Sequence, residues 1–288
     1  MIDSKTSYVL TLSCPDGVGI IAAVTVALAQ HGALVTEAQH FVEPISSSSI
    51  LRLVFESGGA TALDIECLTR DFATVAERFR MTWKIRGAAT RQRVLVAVSK
   101  QGHCLNSLLH RWESGTLPVD IVGVVSNHET QRRLVEWYGL PYYYLPIAKD
   151  GKAAQEQRML SLFRELNAEL LVLARYMQVL SSDLCRALAG RAINIHHSFL
   201  PGFKGARPYH QAFVRGVKLI GATAHYVNDD LDEGPIIEQA VERVDHTMTP
   251  EQLTTLGNEI ESVVLNRAIQ WHAEDRIFEF GNRTVVLR

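Results

Sequence analysis

A chain of 288 residues, 47% hydrophobic and 21% charged, has an ordinary globular composition, long enough for one large domain or two modest ones. Its 29 Lys+Arg against 31 Asp+Glu give a formal net charge of −2 with no basic block, so a nucleic-acid partner is not expected. Cys14, Cys67, Cys104 and Cys185 lie far apart without a C-x-x-C pair, which predicts reduced thiols and no cysteine-ligated metal; the start MIDSKTSYVL lacks signal-peptide character, and no run approaches ~18 apolar residues. The expectation is a cytoplasmic protein without a membrane partner.

Apolar period predicts strand, helix, strand, strand, helix, strand over the first ~85 residues. Tyr8 to Ser13 is a β-rich run that breaks at Cys14-Pro15-Asp16-Gly17, where Pro fixes φ and Gly admits positive φ. Ile20, Val24, Ala27 and Leu28 then form one apolar helical stripe, with Gly32 at the C-cap position. Leu34 to Val42 and Ser49 to Glu56 read as strands joined through Pro44 and the serine run Ser46 to Ser49, a flexible hairpin tip. Leu63 to Phe79 reads as a helix and Met81 to Arg86 as a last strand, which completes a ferredoxin-like βαββαβ unit.

The small residues Gly87-Ala88-Ala89-Thr90 interrupt this pattern, so the boundary is placed between residues 1–86 and 87–288. Beyond it, β-branched runs (Val94 to Val98, Ile121 to Ser126, Leu170 to Leu173, Ala192 to Ile195) alternate with helical stretches (Leu105 to Trp112, Gln131 to Tyr138, Lys152 to Leu166, Leu184 to Leu188). Alternation of this kind predicts an α/β, doubly wound, Rossmann-like sheet with its chemistry at the carboxyl ends of the strands. Leu219 to Val227 and Ile236 to Val244 read as a hairpin extension, followed by a helix from Pro250 to about Trp271.

The densest polar constellation is Asn194-Ile195-His196-His197-Ser198, which follows a strand. Alternation puts Asn194 and His196 on one face, where an amide donor and an imidazole can hold an oxyanion. His197 alone reads more readily as a histidine bonded to its own loop. A second cluster, His225 followed by Asp229, Asp230, Asp232 and Glu233, reads as a solvated acidic loop in all but Asp232, which precedes the Glu-Gly turn and can act as a general base beside a histidine. His225 either orients Asp232 and its water or packs.

Two resemblances add to this reading. The segment LSCPDGVGIIAAVTVALAQHGALV, through its Cys-Pro-Asp-Gly turn, Gly19 and Gly32, resembles the ACT family of small regulatory domains. That resemblance implies side-by-side pairing into a homo-oligomer and an amino-acid effector received by Asp16, Gly17, Val18 and Gly19; Asp16 can equally cap the helix, with Cys14 as a buried small hydrophobe. Residues 90 to 285 resemble the 10-formyltetrahydrofolate-dependent formyltransferase fold, with Asn194, His196 and Asp232 at its catalytic positions.

By the same resemblance Arg175, Tyr176, Met177, Gln178, Val179 and Leu180 match the folate-binding loop, and Gly205 lies in the loop after the histidines. Lys204 and Arg207 there can meet an anionic folate tail or stay solvated. His197 and His225 join the substrate-binding set, while Met177 to Leu180 can alternatively be helix-end core. The stretch Val98-Ser99-Lys100-Gln101-Gly102-His103-Cys104-Leu105 has one glycine where transferases acting on a phosphorylated amine carry a glycine-rich phosphate cradle.

With the ACT-like unit in front and the His196-His197 pair, the whole chain resembles the formyltetrahydrofolate deformylase family, in which water is the acceptor. The resemblance implies hydrolysis of 10-formyltetrahydrofolate, with Asp232 as base to water and Asn194 and imidazolium His196 as oxyanion donors. No cofactor or metal is then expected, and glycine or methionine is the first candidate effector. The alternatives are a formyltransferase with a small amine acceptor and a non-catalytic folate or amino-acid sensor.

Overall fold

The computed structural model describes residues 6–147, 151–200 and 208–288. It divides into two compact units, residues 1–90 with 274–280 and 285–288, and residues 91–273 with 281–284.

The first unit runs β1 (Ser7–Pro15), α1 (Ile20–Gln30), β2 (Ala33–Glu43), β3 (Ser48–Ser57), α2 (Ile65–Phe79) and β4 (Thr82–Gly87). The four strands form one sheet in the order β2-β3-β1-β4, antiparallel throughout, as the ferredoxin-like reading requires. Ile20, Val24 and Leu28 of α1 pack with Leu68, Phe72 and Ala76 of α2 over Leu10, Leu12, Leu53 and Phe55 of the sheet. β1 continues through Pro15 instead of breaking at Cys14, and Cys14 is buried in that core.

The hairpin tip, expected from sequence as a flexible serine run, is a hydrogen-bonded turn. The buried Glu43 carboxylate accepts from the Ser46 N–H at 2.7 Å and the Ile45 N–H at 3.2 Å, while the buried Ser49 hydroxyl is 2.8 Å from His40 Nε2. Side-chain acceptors satisfy the turn's backbone donors and pin it. The C-terminal stretch of this unit is held by ion pairs, with Asp275 against Arg86 and Lys84 and Arg276 against Glu37.

The second unit contains β5 (Gln92–Val98), α3 (His103–Glu113), β6 (Val119–Ser126), α4 (Arg132–Trp137), β7 (Tyr142–Tyr144), α5 (Lys152–Glu165), β8 (Leu170–Leu173), α6 (Ser182–Ala187) and β9 (Ala192–His196). It goes on through α7 (Pro208–Arg215), β10 (Leu219–Tyr226), β11 (Ile236–Arg243) and α8 (Pro250–Ala273); β12 (Ile277–Phe280) and β13 (Arg283–Val286) form a terminal hairpin.

Its strands are ordered β11-β10-β9-β8-β5-β6-β7. From β9 to β7 all pairings are parallel; β5, β6, β8 and β9 are largely buried, as crossover helices on both faces dictate, and the edge strand β7 is partly exposed. β10 and β11 run antiparallel and extend the sheet as the predicted hairpin. The strand order reverses at β5, which has β6 on one side and β8 on the other, so a crevice opens beyond the carboxyl ends of β5, β8 and β9.

Candidate active site

β9 ends at His196, and its alternation brings Asn194 and His196 to one face. The antiparallel register places His225 opposite Asn194 and Thr223 opposite His196. His225 Nδ1 lies 2.8 Å from the Tyr226 carbonyl oxygen, which can only accept; that nitrogen therefore carries the proton and Nε2 is an acceptor. The Asn194 amide donates to His225 Nε2 over 3.2 Å, which fixes the amide and leaves its second N–H for the crevice. Burial holds His225 below the ordinary imidazole range, against the opposing pull of the Tyr226 bond and Asp232.

Asp232 reaches this face from the loop between β10 and β11. It has φ 58, a conformation that aspartate tolerates better than most side chains. Gly234 allows the loop to fold back, since a Cβ there would collide with the Tyr226 carbonyl and lie 3.1 Å from His225 Nδ1. The β10–β11 register also shifts between Ala224 and His225, an irregularity of the kind that re-aims side chains beside functional sites. Asp232 Oδ2 is 3.1 Å from His196 Nδ1, and Oδ1 is 3.8 Å from His225 Nε2.

Burial raises the Asp232 carboxyl, but the His196 bond and the surrounding histidines outweigh it and hold the group below its usual range, ionised at neutral pH. The other His196 nitrogen, Nε2, is buried with no hydrogen-bond partner among the described residues. The other acidic residues of the loop, Asp229, Asp230 and Glu233, are exposed, as a solvated loop predicts.

Asn194, His196, His225 and Asp232 line one end of a cavity of about 330 Å³ whose walls include Met177, Val179, Leu180, Val227 and Leu231. Met177 and Val179 are 54% and 52% exposed in the loop between β8 and α6, so the core alternative fails for these two, whereas the partly buried Leu180 packs against the core. Ser99 staples that loop to the end of β5, its hydroxyl accepting from the Met177 N–H at 3.0 Å. Gln178 also lines the cavity.

Arg175 and Tyr176 border the cavity, but their polar ends are engaged elsewhere. The Arg175 guanidinium donates to Gln101 Oε1 at 2.6 and 2.9 Å and lies 3.4 Å from Glu261, while the Tyr176 hydroxyl meets Gln155. Gly205, Lys204 and Arg207 lie outside the described residues.

His197 is buried, its ring 4.9 Å from that of His196, and burial with the adjacent Arg175 charge pushes its pKa down to about 4. Composition gave no signal for Thr223 and Gln239. The buried Thr223 hydroxyl donates to the Ser198 carbonyl at 2.9 Å and accepts from the Leu200 N–H at 3.1 Å, and Gln239 Nε2 donates to both Thr223 Oγ1 and the Leu200 carbonyl. Together they anchor the loop that follows the histidines.

In the first unit, Asp16, Gly17, Val18 and Gly19 are exposed between β1 and α1. Asp16 does not cap the helix: the N-cap is Gly19 at φ 90, without a side-chain cap bond, so that expectation is corrected. Two clusters among the described residues group metal-ligand types, His31-Cys67-Asp71 and His103-Cys104-Glu261. Arg70 contacts the Cys67 sulfur at 3.0 Å in the first, and burial pushes the Cys104 thiol far up in the second.

The comparisons agree with this arrangement. The Formyl transferase family profile matches residues 92–269. The formyltetrahydrofolate deformylase of Corynebacterium sp. (strain P-1) is 50% identical over 287 residues, covering 100% of both chains. The crystal structure of formyltetrahydrofolate deformylase from Burkholderia mallei superposes with a TM-score of 0.93 at 53% identity, over 98% of this chain and 100% of that one. Glycinamide ribonucleotide transformylase 1 from Symbiobacterium toebii covers 69% of this chain and 95% of its own, at TM-score 0.64 and 30% identity. Identity of this extent, over the full length of both units, shows that the chain belongs to the formyltetrahydrofolate deformylase family.

Proposed function

We propose that the chain hydrolyses 10-formyltetrahydrofolate to formate and tetrahydrofolate. The carrying observation is the convergence of the Asn194 amide, the His196 imidazole and the ionised Asp232 carboxylate on one end of an apolar-walled cavity. A few convergent polar groups in an otherwise apolar slot suit a flat heterocycle with one reactive substituent.

In this scheme Asp232 takes a proton from water as the water oxygen bonds to the formyl carbon. The carbonyl electrons move onto oxygen, where the free Asn194 N–H and a protonated His196 Nε2 donate to the developing charge. Asp232 Oδ2, 3.1 Å from His196 Nδ1, holds the ring in place. Collapse breaks the carbon–nitrogen bond, the leaving amine nitrogen takes the proton held by Asp232, and formate leaves as its remaining acidic proton passes to solvent. Proton transfer and hydrogen bonding suffice, so the scheme calls for no cofactor. The test is turnover in 18O-water: hydrolysis puts one solvent oxygen into each formate, and formate free of label would refute it.

The first unit is proposed to receive an amino acid such as glycine or methionine at Asp16, Gly17, Val18 and Gly19. What supports this is a helix start without a side-chain cap, open to a carboxylate, beside an exposed aspartate. Rates and melting temperatures unchanged across millimolar amino acids would remove the proposal. A homo-oligomer is proposed from the exposed edge strand β2 with Leu34 and Phe41, and light scattering checks it. Four free thiols and the lack of a described helix long and apolar enough to cross a membrane support a cytoplasmic setting, which fractionation tests.

A further inference from the structure

Glu261 takes no part in the chemistry above, yet it is fully buried in the middle of α8. Its carboxylate lies 2.7 Å from His103 Nε2, accepts from the Tyr209 hydroxyl at 2.7 Å, and sits 3.4 Å from Arg175 Nε. Gly257, one turn earlier, makes room for this, because a Cβ there would collide with the Tyr209 ring. The carboxylate also lies within 4.8 Å of the Cys104 sulfur, among side chains of the first turn of α3. Burial raises its carboxyl, but the bonds and charges of His103, Arg175 and Tyr209 outweigh it and keep it ionised.

A guanidinium, a hydroxyl and an imidazole are parts from which an anion receptor is assembled. In this chain they close on a carboxylate of the protein's own. They do so beside a second cavity of about 560 Å³, whose lining includes Lys100, Gln101, Arg175, His197 and Tyr209 and which shares Arg175, Met177 and His197 with the first.

We propose that Glu261 is a specificity-determining residue: a built-in counter-ion that binds His103 and neutralises Arg175, so that the second cavity rejects an anionic acceptor and water is left to react. Lys100 remains on the exposed side of the cavity, where solvent screens it. The proposal rests on the hydrolase reading, but its test reads anion binding without folate, so the two fail separately.

The probe is inorganic phosphate, titrated calorimetrically into the full-length protein. The native chain is expected to show no saturable binding. Glu261→Gln keeps the shape and removes the charge, so saturable binding is expected, tighter than any native binding by about tenfold or more. Adding Arg175→Gln to it should abolish that binding. A folded Glu261→Gln protein as indifferent to phosphate as the native one would overturn the proposal, as would saturable native binding of equal strength. Should that variant not fold, Glu261→Asp keeps a charge but withdraws it from Arg175 by one methylene. It is expected to show an intermediate gain, and indifference there overturns the proposal equally.

Discussion

Asn194 on β9 and His225 on β10 face each other across an antiparallel pair, the amide nitrogen of one 3.2 Å from Nε2 of the other. Because His225 Nδ1 is committed to a backbone carbonyl, His225 can only accept from Asn194, and the amide cannot flip without losing that bond. In the proposed mechanism His225 thus orients an oxyanion donor without having to touch the formyl group. His225→Ala is expected to lower kcat about 10- to 100-fold with KM nearly unchanged, as loss of an orienting partner does elsewhere. Steady-state kinetics decide it, and a raised KM with intact kcat would count against it.

The donors and the base are predicted to matter more. Asn194→Ala and His196→Ala should each cost about 100- to 1000-fold in kcat. Asp232→Asn, which keeps the shape and removes the base, should cost at least as much. Circular dichroism establishes that each variant is folded, and near-native turnover of Asp232→Asn would contradict the assigned role.

Gly234→Ala tests the backbone beneath Asp232. The added methyl would run into the Tyr226 carbonyl, so the loop must shift and Asp232 must leave His196. A stability loss of about 1–3 kcal/mol, read by denaturant titration, should accompany a large fall in kcat.

Much of this was legible in the chain. Period-2 and period-3.6 patterns placed the longer strands and helices of both units, because each element buries one face or both against a sheet, but missed the short β7, α7, β12 and β13; Asn194-x-His196 was readable because alternation alone puts both on one side. The solvent-like acidic loop hid Asp232 among three exposed acids, and only Gly234 and the turn singled it out. Thr223, Gln239 and Glu261 had no signature, since their importance comes from register and helix packing between residues far apart in sequence. The ion pairs that hold residues 274–280 within the first unit are likewise invisible to local pattern.

The exposed apolar wall gives a cleaner separation of binding from folding. Met177 and Val179 contribute little to a core at 54% and 52% exposure. Met177→Ser with Val179→Ser should leave the melting temperature near native and raise KM for the folate several-fold. A large drop in melting temperature with unchanged KM would return these residues to a packing role.

His197 makes a prediction about stability and pH. Its folded-state pKa of about 4 lies below the unfolded value, so the unfolded chain takes up a proton first as pH falls. Its stabilising contribution is present above about pH 6.5 and is lost as pH falls toward 4, in all roughly 3 kcal/mol. His225 is shifted in the same direction and adds to the slope. Denaturant unfolding of native protein and His197→Gln across this range should show the shallower acid dependence in the variant; equal slopes would contradict it.

The most direct test of the central claim is incubation of the purified chain with 10-formyltetrahydrofolate and no other acceptor, following formate and tetrahydrofolate together. The arrangement of Asn194, His196 and Asp232 predicts the two products in equal amounts over many turnovers, with release slowed about 100- to 1000-fold in His196→Ala. Tight folate binding without formate, or formate only when an amine is added, would contradict it.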